Sequence, residues 1–561
     1  MRIAPLCLVT TLCMLTAQAQ EDIVFKAMHD ELDRSMKLLH LEQLEKPYFI
    51  SYRVIESEST TVSGRFGALQ SSTADRGRLL TVEVRVGDYK LDNTNFISAN
   101  FNQSSLVQIF GGTMQLPLDN DYKELRREIW LATDSTYKKA LEDLSKKRAA
   151  LQNKVNNDEV PDFTKEDPVT TTVDAPIVHA DVKKWEAEAR TLSGLFRQMP
   201  GINSSYVSFQ AANTYIRYLN SDGTSYLRHE PKVTFNVGAT TQAPDGSLLN
   251  DGVWVHARSL AALPSTDELA AKVRTMGQHL TDLRTAAELQ NYNGPVLAEG
   301  DAAPQLFELV FVPHLLGTHR ILMDSQFGQQ RGVPENPFVD KIGARVLPEF
   351  LSVIDNPERS EFNNVPLEGS SKVDEDGVRT RATTLVDKGF LNTLLVTRNP
   401  IRGIEHSTGS RHAGQAMPSN LFVTTDNGLT RDELRAKFQE LVKRRKKDYG
   451  IIVRRMRSAS SPLLAYKVFP DGREELIHGV QFADLNVGSF KDIIAASKDI
   501  NILTVEYFPQ RNGGMTPTVD DQYMPVTLAV PSLLFEDVTV HKIRGETPKP
   551  PVAPHPFFES K

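Results

Sequence analysis

Two histidines, His314 and His319, follow an apolar run in which Glu308 is the only charged residue. Imidazole nitrogens bind zinc, and a carboxylate beside the metal can act as general base on the metal-bound water. These residue types could therefore hydrolyse a peptide bond. Their spacing argues against it, because residues five apart are separated by roughly 140° around a regular helix. Pro313 and Gly317 also disfavour a regular helix here, and no glutamate lies between the two histidines.

Glu308 is the candidate catalytic residue of this segment. A carboxylate on an apolar helix has a raised pKa when burial disfavours its charged form, and a raised pKa suits a general acid or base. The alternative is a structural carboxylate that is buried and held by a hydrogen bond. The sequence leaves both interpretations open.

A second set of candidates surrounds the stretch Ser407-Thr408-Gly409, which His406 and His412 flank. Carboxylates that the fold could bring near these histidines are Glu405, Asp374, Glu375 and Asp376. Two imidazoles and one carboxylate suffice to bind zinc if the fold brings them together. The alternative is that all of them are solvated loop residues. No spacing nominates a base for Ser407 or Thr408, and the sequence has neither a G-x-S-x-G elbow nor a P-loop.

The elements that must position these residues differ between the two halves of the chain. Period-two alternation predicts strands from Tyr48 to about Val86, and the turn Asn220–Gly223 predicts a hairpin. Helical periodicity and capping signals predict six helices, near 24–44, 121–153, 181–199, 265–288, 302–327 and 430–448. Beyond about residue 300 short strands with Gly, Pro and Asp turns dominate. We therefore place a domain boundary at Asn291–Pro295 and expect a predominantly β second half.

The bulk composition excludes some classes of function. The chain has 561 residues, of which 40% are hydrophobic, enough for two or more domains. Its formal net charge of −7 gives no electrostatic footprint for nucleic acid. The basic run at 443–447 falls in the last turn of a predicted helix, where positive side chains interact favourably with the helix dipole.

Residues 1–19 have the features of a signal peptide: Arg2, an apolar stretch after it, and the small-x-small pattern Ala17–Ala19. The apolar stretch is shorter than the roughly 20 residues needed to span a bilayer. Cys7 and Cys13 both lie in it, so the mature chain would lack a thiol for catalysis, metal binding or a disulfide. We expect an exported protein, periplasmic or secreted, without a membrane span.

Several short segments of the second half form a recognisable series. They are Gly294–Leu297 before the helix at 302–327, Asp374–Val378 before Thr383–Gly389, Ser407–Arg411, Pro418–Val423 and Ala529–Val538. In this order they resemble the C-terminal domain of the TldD/PmbA family, also described as peptidase family U62 or modulators of DNA gyrase. In the first half, Asn220–Gly223 and the helical stretch Leu131–Ala140 also look like exported members of that family.

The resemblance implies an α+β fold of two domains. We expect the signal peptide at 1–19, an α/β N-terminal domain at 20–293, a mostly antiparallel β C-terminal domain at 294–545, and a proline-rich tail at 546–561. TldD members are zinc peptidases that pair with a metal-less PmbA-type subunit, so the resemblance also implies a part in peptide cleavage. We expect the substrate-binding residues in the matching segments, at Asp376, Gly377, Ser407, Thr408 and Gly409.

The zinc motif of the active members is missing. They carry H-E-x-x-x-H on the helix that matches 302–327, and a cysteine further on completes their site. Here Glu308 falls on the glutamate, but Phe307 and Val312 stand at the two histidine positions. A regular helix would need a local distortion to bring residues five apart to one metal. The region near Arg511–Gly514, where the cysteine is expected, has none.

Two hypotheses of function follow. In the first, this is a metal-less PmbA-type protein that binds peptide in a groove of its β domain, needs no cofactor, and assembles with itself or with a zinc-bearing TldD-like paralogue. In the second, it is itself a metallopeptidase with a relocated zinc site. Residues available for that site are His314, His319, His406, His412, Asp374 and Asp376. A binding protein without any proteolytic connection is the remaining alternative.

Overall fold

The computed structural model describes residues 22–97, 113–152, 160–289, 291–323, 336–506, 525–543, 551, 553 and 555–558. The predicted signal peptide, its two cysteines and the segment near Arg511 lie outside these ranges, as does most of the proline-rich tail. Within the described ranges, no helix combines the length and the apolar character needed to cross a bilayer.

The first half is organised around a seven-stranded sheet with the order β4-β2-β1-β6-β7-β5, in which β8 also pairs with β7. The strands are β1 Pro47–Arg65, β2 Ala68–Val86, β4 Thr113–Gln115, β5 Thr170–Val173, β6 Ile202–Asn220, β7 Ser225–Gln242 and β8 Leu248–Ala257. All neighbours are antiparallel except β5 and β7. The alternation predicted from Tyr48 to Val86 is confirmed as the β1–β2 hairpin, and the turn at Asn220–Gly223 joins β6 to β7.

Within the described ranges, four helices accompany this sheet: α1 Ile23–Leu38, α2 Tyr122–Gln152, α3 Val182–Gly194 and α4 Thr266–Leu283. Short 3-10 turns follow at Leu195–Gln198 and Leu260–Ala262. Successive residues of a strand point to opposite faces. Even-numbered residues of β1, such as Tyr52 and Val54, belong to the core under α1 and α2. Odd-numbered Ile55 packs instead with Val373 from the second half, so the two faces of the sheet have different partners.

A twelve-stranded sheet forms the second half, in the order β16-β15-β12-β19-β25-β10-β20-β21-β22-β9, with β23 and β24 also paired to β25. Its strands are β9 Ala287–Glu288, β10 Asn291–Ala298, β12 Leu351–Asp355, β15 Thr383–Asp387, β16 Phe390–Leu391, β19 Asn420–Thr425, β20 Gly450–Ser458, β21 Ser461–Val468, β22 Glu474–His478, β23 Val480–Phe482, β24 Ile493–Glu506 and β25 Pro525–Lys542. Most pairs are antiparallel; β10–β20, β19–β25 and β22–β9 are parallel. The expected α+β class with a mostly antiparallel second half is confirmed. The division into domains at 294 stays a prediction.

Smaller elements complete the second half. Two-stranded pairs join β3 Phe96–Ile97 to β11 Leu322–Met323, β13 Glu361–Phe362 to β14 Val365–Pro366, and β17 Arg411–His412 to β18 Gln415–Ala416. The helices in the described part of this half are α5 Ala302–Leu306 and α6 Arg431–Arg444, with 3-10 turns at Val339–Lys341 and Val487–Asp492. Thr430 and Glu433 form both halves of the predicted capping box, and Lys443 and Arg444 lie in the last turn of α6.

Candidate functional site

The segment that carries Glu308 is helical over a shorter range than expected. Regular α-helix ends at Leu306, a π-helical turn covers Phe307–Phe311, and a 3-10 turn covers Val312–Leu315. The helix predicted over 302–327 is therefore wrong for residues 316–323, and residues 324–327 lie outside the described ranges. Pro313 has no N–H to continue the hydrogen-bond ladder, and the Gly317 N–H donates to the carbonyl of Leu395 instead, at 2.7 Å.

The π-helical turn supplies the distortion that a ligand pair five residues apart needs. The N–H of Val312 donates to the carbonyl oxygen of Phe307, which is the i to i−5 bond of a π-turn. Such a turn brings residues five apart to nearly the same side of the helix. The side chains at the two positions joined by this turn, Phe307 and Val312, are apolar and fully buried, with 0% exposure each. The Phe307 ring lies 4.7 Å from Phe311 and 5.7 Å from Phe490, between ring centroids. Core packing occupies both ligand positions, so these residues do not fit a zinc ion.

Glu308 is half-buried within this turn. Burial alone raises the pKa of its carboxyl group to about 7. No group in the described part of the chain donates a hydrogen bond to it, so the structural hydrogen bond considered as an alternative is not observed there. A carboxyl group with a pKa near neutrality can give or take a proton at physiological pH. Glu308 is therefore the candidate acid–base group of the segment.

His314 and His319 occupy unrelated environments. His314 is half-buried beside the Phe338 ring, 5.6 Å between centroids, and burial lowers the pKa of its imidazole. His319 donates from Nδ1 to the carbonyl of Pro400 at 2.6 Å, and its Nε2 lies 3.5 Å from Asp162. Burial alone would raise the pKa of Asp162, but His319 and Lys147 outweigh it and lower that pKa to about 2. Each histidine therefore has its own local partner.

The structure brings together the two segments predicted to bind substrate. The backbone N–H of Glu375 donates to the carbonyl of Arg411, and the N–H of Arg411 donates to Asp374 Oδ2, both at 3.0 Å. The N–H groups of Ala413 and Gly414 donate to the Glu375 carboxylate at 2.9 and 3.1 Å. The turn at 374–377 and the loop at 407–414 thus form one hydrogen-bonded unit. We call it the acidic-turn unit.

All five residues expected to bind substrate are buried within the acidic-turn unit. The Thr408 hydroxyl donates to the carbonyl of Val396 at 2.9 Å, and the Ser407 hydroxyl accepts from the Gly409 N–H at 3.1 Å. Asp376 accepts from Arg411 Nη1 at 3.0 Å, while its Oδ2 is buried without a hydrogen-bond partner among the described residues. Gly377 has a φ of +74° and packs on the first sheet. These side chains hold the unit together internally.

Charged groups of the first sheet face the acidic-turn unit. Arg53, on the face of β1 opposite α1, forms a 3.1 Å ion pair with Glu375. Burial alone would raise the pKa of Glu375, but Arg53, His412 and Arg411 outweigh it and lower that pKa to about 2. Burial raises the pKa of Asp374, and the neighbouring carboxylate of Asp376 adds to the effect. The surroundings therefore shift the pKa values of two adjacent carboxyl groups, Asp374 and Glu375, in opposite directions. Perturbed pKa values of this kind are typical of functional sites.

The two histidines beside Ser407 do not point to a common site. The side chain of His406 is 72% exposed, and its Nδ1 lies 3.8 Å from Glu166. His412 is buried, and burial lowers the pKa of its imidazole. Among the described residues, the three-ligand groups within metal-binding distance include none of the six residues considered for a relocated zinc site. The expectation that solvent surrounds these residues is wrong for His412, Asp374, Glu375 and Asp376, which are buried.

Two arginines beside the acidic turn are not among the site residues predicted from the sequence. Arg228 donates from Nη1 to the carbonyl of Val373 at 3.0 Å, and Arg398 pairs with Asp222 at 2.7 Å. Both are nearly fully buried. A buried arginine on a strand has no local signature, because its partner lies far away in the sequence. An arginine at a core-facing strand position was the single available hint.

Comparisons with known proteins agree with this architecture. Residues 293–542 match the family model described as the PmbA/TldA metallopeptidase C-terminal domain. A solved structure of TldE from Thermococcus kodakarensis is 13% identical, with a TM-score of 0.56, covering 92% of this chain and 99% of that one. A protein named as a modulator of DNA gyrase from Thermotoga maritima is 15% identical, with a TM-score of 0.56, covering 91% of this chain and 99% of that one.

A second protein with that name, from Bacteroides thetaiotaomicron, is 14% identical, with a TM-score of 0.56, covering 92% of this chain and 98% of that one. No curated protein sequence matches the chain. At these identities the solved structures establish the shared fold over nearly the whole length, and the family model covers the second half. Residues 293–542 are therefore a C-terminal domain of the TldD/PmbA family, and nearly the whole chain shares the fold of these solved structures.

Proposed function

We propose that this protein takes part in peptide cleavage as a peptide-binding or partner subunit that does not itself hold the catalytic zinc. The observation that carries the proposal is the pair Phe307 and Val312. They stand where the family's zinc peptidases have histidines, and both are fully buried in the core. The matching family model is described as a metallopeptidase domain, which favours a connection to proteolysis.

The proposed partner is a second copy of this chain or a TldD-like paralogue that carries H-E-x-x-x-H. Such a partner would supply hydrolysis, while this chain would contribute peptide binding or an assembly surface. We also propose that the protein is exported, since residues 1–19 have the features of a signal peptide. Among the described residues nothing favours the relocated zinc site, because its six proposed ligands form no three-ligand group.

Peptide binding can be tested with the mature, tag-free protein. Fluorescence anisotropy would follow a labelled pool of unstructured peptides titrated with the protein, once in EDTA and once in zinc chloride. We expect saturable binding with the same Kd in both buffers, because no bound metal is needed to hold the peptide. Binding that disappears in EDTA would contradict the proposal and favour a metal-mediated site. No binding in either buffer would contradict peptide binding and leave only the assembly role.

Assembly is measured separately, by sedimentation of the protein alone and mixed with a purified TldD-type zinc peptidase of the same source. We expect a defined oligomer in one of the two samples. Monomers in both samples, together with an absence of peptide binding, would contradict the whole proposal.

A further inference from the structure

We propose that Asp245, Glu288 and His478 form a binding site for a zinc-like divalent metal ion that fastens the first sheet to the second. The three side chains each offer one ligand atom, and these atoms all lie within 4.8 Å of one another. This metal would act outside the π-turn and outside the proposed part in peptide cleavage. Its role is structural, with no catalytic step.

The backbone of two strands fixes two of the ligands. His478 ends β22 and Glu288 ends β9, and the two are register partners in this parallel pair. Neighbouring strands lie roughly 4.8 Å apart, and register partners project from the same face of the sheet. The imidazole and the carboxylate therefore stay close without any further constraint.

Asp245 comes from the first half of the chain, in the turn between β7 and β8. That turn closes through the Gly246 N–H, which donates to the Ala243 carbonyl at 2.9 Å. The N–H and the hydroxyl of Ser247 donate to the two Asp245 carboxylate oxygens at 2.9 and 2.8 Å. These bonds hold the Asp245 carboxylate in place. A metal here would link two separate sheets.

His478 distinguishes this cluster from an ordinary pair of surface acids. Its exposure is only 7%, and its Nδ1 is buried without a hydrogen-bond partner among the described residues. Leaving a buried polar atom unpaired costs free energy, which metal binding at the imidazole would offset. Four other histidines, His229, His256, His279 and His412, also have a buried ring nitrogen without a hydrogen-bond partner among the described residues. Within the described ranges, however, His478 is the histidine that shares a three-ligand group with two carboxylates.

Lys542 supplies the counter-charge of the cluster. Its ammonium group lies 2.7 Å from Glu288 Oε2, and both side chains are more than a third exposed. A divalent cation must compete with this ammonium for the carboxylate, so Lys542 weakens metal binding. Replacing it with an uncharged side chain of similar length should strengthen binding. Non-specific metal binding to surface acids predicts no dependence on His478.

One imidazole and two carboxylates form a set of nitrogen and oxygen ligands that suits zinc, with water completing a tetrahedral site. Calcium and magnesium prefer oxygen ligands alone. Zinc is therefore the probe of choice, and magnesium is the control ion. Because the metal would bind the folded state and not the unfolded one, it should also raise the Tm.

The test is a calorimetric titration of zinc chloride into the tag-free, EDTA-dialysed protein. We expect the wild type to bind one equivalent of zinc. Binding should be at least tenfold weaker for His478→Ala and Glu288→Gln. The control His406→Ala should bind zinc as the wild type does, and Lys542→Met should bind it at least threefold more tightly. Zinc should raise the Tm of the wild type and leave that of His478→Ala unchanged, and magnesium should do neither. Glu288→Gln changes an exposed side chain, so it keeps the test valid if His478→Ala folds poorly. Equal zinc affinity for the wild type and Glu288→Gln, or no zinc binding at all, would overturn the inference.

Discussion

The N–H of Val312 donates a hydrogen bond to the carbonyl oxygen of Phe307, five residues earlier, and both side chains are fully buried. This π-turn has the geometry that would let two residues five apart share one metal, yet it presents a phenyl ring and an isopropyl group. Turns of this kind are rare in proteins, but those that occur are often found at functional sites. The backbone here could place two ligands side by side, but the side chains at both positions are apolar and cannot bind a metal.

Restoring imidazoles at these positions tests that relationship. We expect the double variant Phe307→His/Val312→His, made in the His478→Ala background, to bind zinc at least tenfold more tightly than the background protein. The control variant Phe307→His/Leu309→His places the second imidazole two residues away, where side chains of a helix do not face each other. Calorimetric titration measures both. Equal zinc affinity for the two double variants would show that the π-turn does not orient positions 307 and 312 toward a common point.

Glu308 should make the stability of the protein depend on pH. Burial raises its pKa from an ordinary 4.5 to about 7. Below about pH 4.5 the carboxyl is protonated in both states; between about 4.5 and 7 the unfolded chain loses the proton while the folded chain keeps it. The stability that this group contributes is therefore lost as the pH rises through 7.

Glu308→Gln removes this titration. We expect its free energy of unfolding, relative to the wild type, to rise by roughly 2 kcal/mol between pH 5 and pH 8, allowing for partial exposure. Urea denaturation at both pH values provides the measurement. The control Glu405→Gln changes an exposed side chain and should shift stability by less than about 0.5 kcal/mol at either pH. A pH-independent difference for Glu308→Gln would show that its carboxyl is not desolvated.

Substitution of two glycines in the acidic-turn unit can distinguish the cost of backbone strain from the cost of a steric clash. Gly409 and Gly414 have φ values of +71° and +76°. A Cβ atom on Gly409 would lie 2.4 Å from the Arg379 carbonyl oxygen, whereas one on Gly414 would meet nothing within 4 Å. Gly414→Ala should therefore cost only the left-handed backbone conformation, about 1 kcal/mol.

Gly409→Ala should cost roughly 3 kcal/mol or more, because the loop at 407–414 must move away from the backbone of Arg379 and Thr380 to admit the methyl group. Thermal and urea unfolding of both variants would measure the difference. Similar losses for the two would mean that the loop at 407–414 moves easily away from Arg379, and that the unit is not tightly packed.

Local sequence signals were sufficient to predict the local elements. The capping boxes at Ser265 and Thr430 start α4 and α6, since the bonded groups lie within three residues of each other. Alternation from Tyr48 to Val86 gave the β1–β2 hairpin for the same reason. Pro313 and Gly317 indicated that the helix predicted over 302–327 would be irregular. The helical segment ends at Leu315. The π-turn itself has no signal of its own in the side chains.

Contacts between distant segments could not be predicted in this way. Nothing near Arg53 or Glu375 indicates that the two form an ion pair, because the fold alone brings the first sheet to the acidic turn. Likewise, the local sequence around Asp245 does not indicate that its carboxylate lies close to Glu288 and His478. The resemblance to the TldD/PmbA family located the segments of the acidic-turn unit, but their burial follows only from packing.

We propose that this chain does not hydrolyse peptides alone, because the buried Phe307 and Val312 leave the π-turn without metal ligands. The most direct test incubates the purified mature protein with a pool of unstructured peptides in excess zinc and identifies the products by mass spectrometry. We expect the peptide pool to remain intact. Cleavage that is abolished by 1,10-phenanthroline, and that follows the protein through two chromatographic steps, would contradict it.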